Sequence, residues 1–338
     1  MKNFEYAAPL TELDALELLS PEAGQTAVLA GGADLVGLMK RMVETPERVV
    51  DIGKIESIRN IERDSQNGLW VGAAVHLDEF QDHPLTVIYP AINQVIQGIS
   101  SIQLQSQGTI GGELLQRPSC WYYRNGQGLL ADEGQMVVEG DNRFHAILGN
   151  RGPAKFVSAS RLAPAMISLG ARVRVAGPGK DEEQIVDLES LYCSPQKEGQ
   201  REHTLRSDQL LTHVILPADR GLLSAAYEVR HGEGPDPPLA AAAVAMEVAN
   251  GVVQQAKIVL GQVAPIPWIA PAAARALRGK PLSEATAQQA GLEALSRANP
   301  LSQNEYKVQL AEVAVRRAIL RAAGMTREGS KHGLPSLI

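Results

Sequence analysis

Two pairs of adjacent glycines, Gly31-Gly32 and Gly111-Gly112, limit this chain more than any other feature of its sequence. The first pair follows Thr26 to Ala30, an apolar run that reads as a strand, and the second lies within Gly108-Thr109-Ile110-Gly111-Gly112-Glu113. Lacking a Cβ, a glycine can turn through conformations closed to other residues and bring its backbone against another segment or a ligand, N–H first. Uncharged main chain arranged in this way can hold a pyrophosphate. Each pair alone is most simply a tight turn, and neither has the spacing of a Rossmann or Walker loop.

The elements around the turns alternate between strand and helix. Thr11, with Asp14 three residues on, opens an amphipathic helix through Leu19. A second helix is expected from Asp34 to about Val43 and a strand from Arg48 to Ile52, so that the first glycine turn sits at the C-terminal end of a strand, a common place for a ligand. Further on come a strand from Leu69 to Val75 and a helix between Thr86 and Gly98. The strands Arg172 to Val175 and Ile185 to Leu188 are joined across Gly177, Pro178 and Gly179, which suit a hairpin turn. The polar, glycine-rich stretch from Asn125 to Asp141 reads as a long surface excursion.

The last third carries a different pattern. Asn250-Gly251 stands between the alternating apolar runs Ala241 to Val248 and Val252 to Leu260, a strong hairpin signal because both turn residues tolerate positive φ. Two helices follow, one from Ser283 to about Ala298 and one opening at Ser302 with Glu305 as its capping-box partner and ending near Gly324. Val308, Ala311, Val315 and Ile319 share one face of the second, which should therefore pack on the hairpin sheet. The tail from Thr326 is polar and without expected structure.

Composition narrows the function. At 338 residues the chain suits two or three compact units, and a net charge of -6 without basic blocks argues against a nucleic-acid partner. No apolar run is long enough to span a bilayer, and Met1 to Ser20 lacks the pattern of an export signal, so a cytoplasmic location is expected, or a periplasmic one by co-export with a partner. Two separated cysteines, Cys120 and Cys193, make neither a disulfide framework nor a complete metal site and read as reduced thiols. The seven histidines are scattered, with no His-Glu-x-x-His, and no nucleophile elbow or paired acid and base can be found. The run Trp121-Tyr122-Tyr123, in a chain only 4% aromatic, is either core packing or a platform beside a planar cofactor. From the residues alone, the chain is an α+β protein with a possible pyrophosphate site.

Taken in order, several segments resemble the FAD-binding medium subunits of molybdenum hydroxylases, the xanthine dehydrogenase, carbon monoxide dehydrogenase and aldehyde oxidoreductase family, and most of all the aldehyde oxidoreductase branch. They are Phe4-Glu5-Tyr6, Ala30 to Leu35, Gly108 to Arg124, Asn142 to Ile147, Ser160 to Ala165, Val259 to Pro265 and Asn304 to Lys307, so that the resemblance covers nearly the whole chain. It implies a two-lobed PCMH-type FAD-binding domain, with lobes over residues 1–54 and 55–219, then a C-terminal domain of antiparallel sheet packed on helices over 220–325 and the tail over 326–338. It implies noncovalent FAD between the lobes, held by Leu29, Ala30, Gly31, Gly32, Ala33, Asp34 and Leu35, by Gly108, Thr109, Gly111, Gly112 and Glu113, and by Ser160, Arg161 and Leu162. The implied partners are a large subunit with the molybdenum cofactor and a small subunit with two 2Fe-2S clusters. Electrons would pass through the flavin to an external acceptor, with no catalytic side chain and no metal ligand in this chain.

The sequence departs from the family where Ala33 replaces a usual threonine, Glu113 an asparagine and Arg161 an aspartate. These departures motivate an alternative, a non-catalytic assembly subunit with weakened or lost FAD binding. They also suggest a compensation in which the Arg161 guanidinium neutralises the Glu113 carboxylate or holds the phosphate directly, the alternative being that both side chains point to solvent. Some relatives in this branch hold an extra four-iron cluster on four cysteines, the first matching Cys120; Asn125 to Asp141 contains none, so no cluster is expected here.

Overall fold

The computed structural model describes residues 1–325 apart from 180, 181, 233 and 235, so the expected polar tail lies outside the described residues. Three sheets organise the chain. In the first, β1 (Glu5–Ala7), β2 (Thr26–Leu29) and β3 (Arg48–Asp51) run parallel in the order β1-β3-β2, and α1 (Glu12–Leu18) and α2 (Leu35–Lys40) provide the crossovers that parallel strands require. Thr11 caps α1 as its spacing predicts, its Oγ1 accepting the Asp14 N–H at 3.1 Å. Helix α2 stops short of Val43 because Met42 takes a φ of 61° and turns the chain back, so that the Val43 N–H reaches Leu38 O.

The second sheet is antiparallel, in the order β4-β5-β8-β6-β7, from β4 (Ile61–Arg63), β5 (Leu69–Gly72), β6 (Arg172–Ala176), β7 (Glu183–Asp187) and β8 (Leu210–Leu216). The connection from β5 to β6 carries α3 (Leu77–Asp82), α4 (Pro90–Gly98), α5 (Ile102–Gln107), α6 (Ile110–Leu114), α7 (Trp121–Arg124), α8 (Gln135–Glu139) and α9 (Leu162–Ser168). Helix α4 begins later than Thr86 because Pro90 fits its first turn, where a missing N–H costs nothing, while the Thr86 hydroxyl turns to Phe80 O (2.6 Å) and His83 O (2.7 Å).

The stretch from Asn125 to Asp141 runs largely over the surface, as expected, but it is anchored from within. Leu129 and Leu130 are buried with Leu38, Tyr123 and Phe156 in a satellite core, and the Glu198 carboxylate accepts the N–H groups of Leu129 (2.7 Å) and Leu130 (3.1 Å). Its glycines and polar residues obscure two leucines whose burial contributes about 1.5–3 kcal/mol each.

The third sheet, β12-β11-β10-β9, comprises β9 (Leu223–Val229), β10 (Ala240–Ala249), β11 (Val252–Gly261) and β12 (Trp268–Ile269). Asn250 and Gly251 make the expected turn, with φ of 52° and 75°. Alternate residues of β10 serve two cores. Ala243 and Ala245 face α4, α9 and the second sheet, whereas Ala240, Ala242, Val244 and Met246 face α10 (Pro271–Leu277), α11 (Glu284–Ala294) and α12 (Tyr306–Ala322). Ala311, Val315 and Ile319 of α12 are fully buried there, as their spacing predicts. Among the described residues no helix is long and apolar enough to cross a membrane.

The capping box expected at Ser302 does not form, because Asn142 takes its groups: Nδ2 donates to Ser302 Oγ at 3.0 Å and Oδ1 accepts the Gln303 N–H at 3.0 Å. Helix α12 starts only at Tyr306, and Lys307 follows with 1% exposure. Its Nζ donates to the carbonyls of Phe144 (3.1 Å), His145 (3.2 Å) and Gln262 (2.7 Å), tying the last helix to the α8–α9 connection and to the end of β11. Lys307→Met keeps the length of the side chain but leaves those carbonyls without a donor. A loss of about 2–4 kcal/mol in urea unfolding is expected; a stability unchanged to within error would show that the tie is dispensable.

Candidate cofactor site

The two glycine turns meet. A Cβ on Gly31 would lie 1.5 Å from the Gln107 carbonyl oxygen, so only glycine lets the segment after β2 touch the segment that ends α5. Gly32 follows with a φ of 72°. In the second turn the Gly111 N–H donates to Ala73 O at 2.8 Å, and a Cβ on Gly111 would press on Ala73 at 2.8 Å. Gly112 differs: its N–H is capped by Thr109 Oγ1 at 3.1 Å, and an added Cβ would meet that hydroxyl alone, at 2.9 Å.

A cavity of about 310 Å³ opens between the turns. Of the residues singled out in the sequence, Ala30, Gly31, Gly32, Ala33, Asp34, Leu35, Gly108, Thr109, Gly111, Gly112, Glu113 and Arg161 line it. Leu29, Ser160 and Leu162 are not among the lining residues: Leu29 lies against Gly32, Ser160 Oγ accepts the Ala163 N–H at 3.1 Å, and Leu162 is wholly buried. Sequence reasoning missed a further wall made by Arg117, Arg201, His203, Arg206 and Gln209. Arg117 stands in one of the segments that carry the family resemblance but bears no motif of its own, and the others come from an irregular stretch between β7 and β8 that carries none either.

Carboxylates from the first lobe and cations from the second close one end of the cleft. Asp34 Oδ2 accepts the Arg117 N–H at 2.9 Å and Asp34 Oδ1 the Arg124 guanidinium at 2.6 Å. Glu44 Oε1 accepts from Arg117 Nη1 at 2.9 Å and from the Tyr123 hydroxyl at 2.8 Å, and Arg117 Nε stands 2.8 Å from Glu202. The Arg117 guanidinium lies over the Tyr123 ring, 5.0 Å from its centre, a cation–π contact that adds to the ion pairs. His203, on the cavity wall, is held neutral: burial foremost, then the charges of Arg201 and Arg117, push it down to about 3.

The aromatic run does not line the cavity. Trp121 packs edge-on against Phe144 and His145, with ring centres 5.5 Å apart in each case, and Tyr123 belongs to the ion network. Tyr123 alone joins a buried core, while Trp121 and Tyr122 are half-buried in an aromatic cluster with Phe144 and His145. Cys120 Sγ lies 3.2 Å from His145 Nε2, and among the described residues no group of His, Cys, Asp and Glu could hold a metal ion.

The Arg161 guanidinium does not neutralise Glu113. Glu113 Oε1 accepts the backbone N–H of Arg161 at 2.7 Å, while the guanidinium turns away to Glu228 of β9, with Nε 2.8 Å from Oε1 and Nη2 on Oε2. Both side chains of that pair are under 10% exposed, at 9% and 8%. Sequence alignment could place Arg161 near the site but could not foresee a carboxylate arriving from the third sheet.

Residues 2–219 match the family described as the FAD binding domain in molybdopterin dehydrogenase. The chain belongs to that family. Residues 225–322 match a second family, the CO dehydrogenase flavoprotein C-terminal domain. The chain is 28% identical over 321 residues to the aldehyde oxidoreductase FAD-binding subunit of Escherichia coli (strain K12), covering 92% of this chain and 96% of that one. It is 28% identical over 326 residues to the carbon monoxide dehydrogenase medium chain of Afipia carboxidovorans, covering 95% and 96%. Carbon monoxide dehydrogenase from Hydrogenophaga pseudoflava superposes with a TM-score of 0.76 over 96% of this chain and 98% of that chain, at 23% identity, a likeness that shows the fold.

The two turns predict opposite responses to added bulk. Gly31→Ala drives a methyl group into a backbone carbonyl and should cost about 3 kcal/mol, whereas Gly112→Ala, within a short helix, should change stability by less than about 1 kcal/mol. Urea unfolding of the two variants side by side decides; equal midpoints would mean that the turns do not abut in solution.

Proposed function

We propose that this chain is the FAD-binding electron-transfer subunit of a molybdenum hydroxylase, with the cofactor held noncovalently in the cleft between the glycine turns. The observation that carries this reading is the meeting of the two turns around one cavity in a chain of this family. Gly32 and Gly112 bring main chain without a bulky side chain to the cavity where a pyrophosphate would lie, Gly111 anchors the second turn on Ala73, and Arg117, Arg201 and Arg206 add positive charge on the adjoining wall. FAD, when bound, supplies redox chemistry that none of the chain's own side chains offers. The chain's part is to orient the cofactor, exclude water and set the electrostatics.

The matched segments, 2–219 and 225–322, support a flavin domain followed by a C-terminal domain over 220–325, and the proposed division of the flavin domain is into lobes over 1–54 and 55–219. The proposed partners are a large subunit with the molybdenum cofactor, a small subunit with two 2Fe-2S clusters and an external electron acceptor, and the proposed location is the cytoplasm. Nothing favours a subunit that has lost its flavin: Ala33 is smaller than the threonine it replaces, the Glu113 carboxyl is turned to a backbone N–H, and the Arg161 guanidinium is engaged with Glu228, so none of the departures fills the cleft.

Material purified under mild conditions should be yellow, should contain three subunits, and should release all its flavin on acid precipitation; flavin left on the protein pellet would mean a covalent bond. Gly112→Val places a branched side chain on the open face of the second turn. It should weaken FAD binding by more than about 100-fold, roughly 2.7 kcal/mol, with the unfolding midpoint of the apoprotein unchanged. Wild-type flavin content in a folded variant would move the cofactor elsewhere.

A further inference from the structure

Three carboxylates line the cleft, Asp34, Glu44 and Glu113. Asp34 and Glu44 are each answered by a guanidinium, from Arg124 at 2.6 Å and from Arg117 at 2.9 Å. Glu113 has no such partner among the described residues. The nearest candidate, Arg161, spends its side chain on Glu228 and gives Glu113 only its backbone N–H. The carboxyl thus sits at the start of α9, next to Gly112, on the wall of a cavity that the proposed function fills with a pyrophosphate dianion. An ionised carboxylate and a pyrophosphate both accept hydrogen bonds and neither donates, so they can face each other at close range only across a cation or a shared proton. No guanidinium or ammonium among the described residues pairs with Glu113: Arg117, Arg201 and Arg206 lie on the adjoining wall and face Glu44, Glu202 and Asp208 instead.

We propose that Glu113 is a proton-carrying ligand for the cofactor phosphates: FAD enters this cleft together with one proton, which makes the Glu113 carboxyl a neutral hydrogen-bond donor toward the dianion. The inference rests on the proposed flavin site. The other groups around Glu113 do not compete for the proton. The Arg161 guanidinium is bonded to Glu228, and Tyr192 sends its hydroxyl to Leu114 O at 2.9 Å. In the free protein burial pushes Glu113 up to about 7, against the pull of the Arg161 N–H and guanidinium and of the Leu162 N–H, and with a push from Glu228. A dianion beside it raises it further, so the complex holds more protons than the free protein above neutral pH. Affinity is therefore full below about pH 7 and is lost as pH rises through that value. His203, also on the cavity lining, is neutral throughout that range.

The test uses the full chain stripped of flavin and titrated with FAD. Calorimetry at pH 8 in two buffers of different ionisation enthalpy should show uptake of close to one proton. The dissociation constant, read from flavin fluorescence, should rise by up to about tenfold per pH unit above pH 7. Glu113→Gln keeps an oxygen for the Arg161 N–H, so the cap on α9 survives. This variant should bind FAD as tightly as the wild type at pH 6, more tightly at pH 9, and without proton uptake. Wild-type binding with no proton uptake and a flat pH profile would overturn the inference and leave the flavin site standing, as would uptake that persists in the variant. Failure of the wild type to bind FAD at any pH would remove both.

Discussion

The contact between Gly31 and the carbonyl of Gln107 determines what else the molecule can do. Two segments from different sheets touch through bare backbone, and a single methyl group at that point would hold them apart. From this contact follow the width of the cleft and the reach of the side chains across it. Asp34 and Glu44 lie just beyond the first turn, Arg117 and Arg124 just beyond the second, so their ion pairs close only when the turns are in contact. Such pairs add little net stability once desolvation is counted, yet removing one partner strands the other in a poorly solvated place. They act mainly as a gauge of lobe separation, sensitive to small displacements.

The cleft also has a charge pattern of its own. The chain carries a net charge of -6, yet four arginines, Arg117, Arg161, Arg201 and Arg206, reach this one cavity. Arg117 and Arg161 are committed to internal carboxylates, Arg201 stands 3.9 Å from Glu44, and Arg206 pairs with Asp208 near the surface. A rim of this kind focuses positive potential in a protein that otherwise repels anions, which favours an anionic ligand here over elsewhere on the surface.

Much of this was legible from local chemistry. The Asn250-Gly251 hairpin, the Thr11 cap and the two glycine turns each depend on a few adjacent residues, and the structure has all of them. What could not be read depends on partners distant in the chain. Ser302 loses its capping role to Asn142, a residue 160 positions away, and Arg161 pairs with Glu228 across 67. The burial of Leu129 and Leu130 requires Leu38 and Phe156, which no local pattern announces. The wall of Arg201, His203 and Arg206 comes from irregular chain, where period and propensity carry no signal.

Strand β10 raises a question of information. Its buried stretch, Ala240-Ala241-Ala242-Ala243-Val244-Ala245-Met246, is nearly uniform, and thin side chains on both faces let helices come close from either side. Uniformity has a consequence: sliding the strand by one residue exchanges the two faces, which in most sheets would bury polar groups, but here mostly replaces alanine with alanine. The alanines encode depth without encoding phase. Phase must be written at the far end of the hairpin, where Asn250 and Gly251 fix the turn and the register shifts between Glu247 and Val248. A change of turn length there would be transmitted, with little local resistance, to both cores at once.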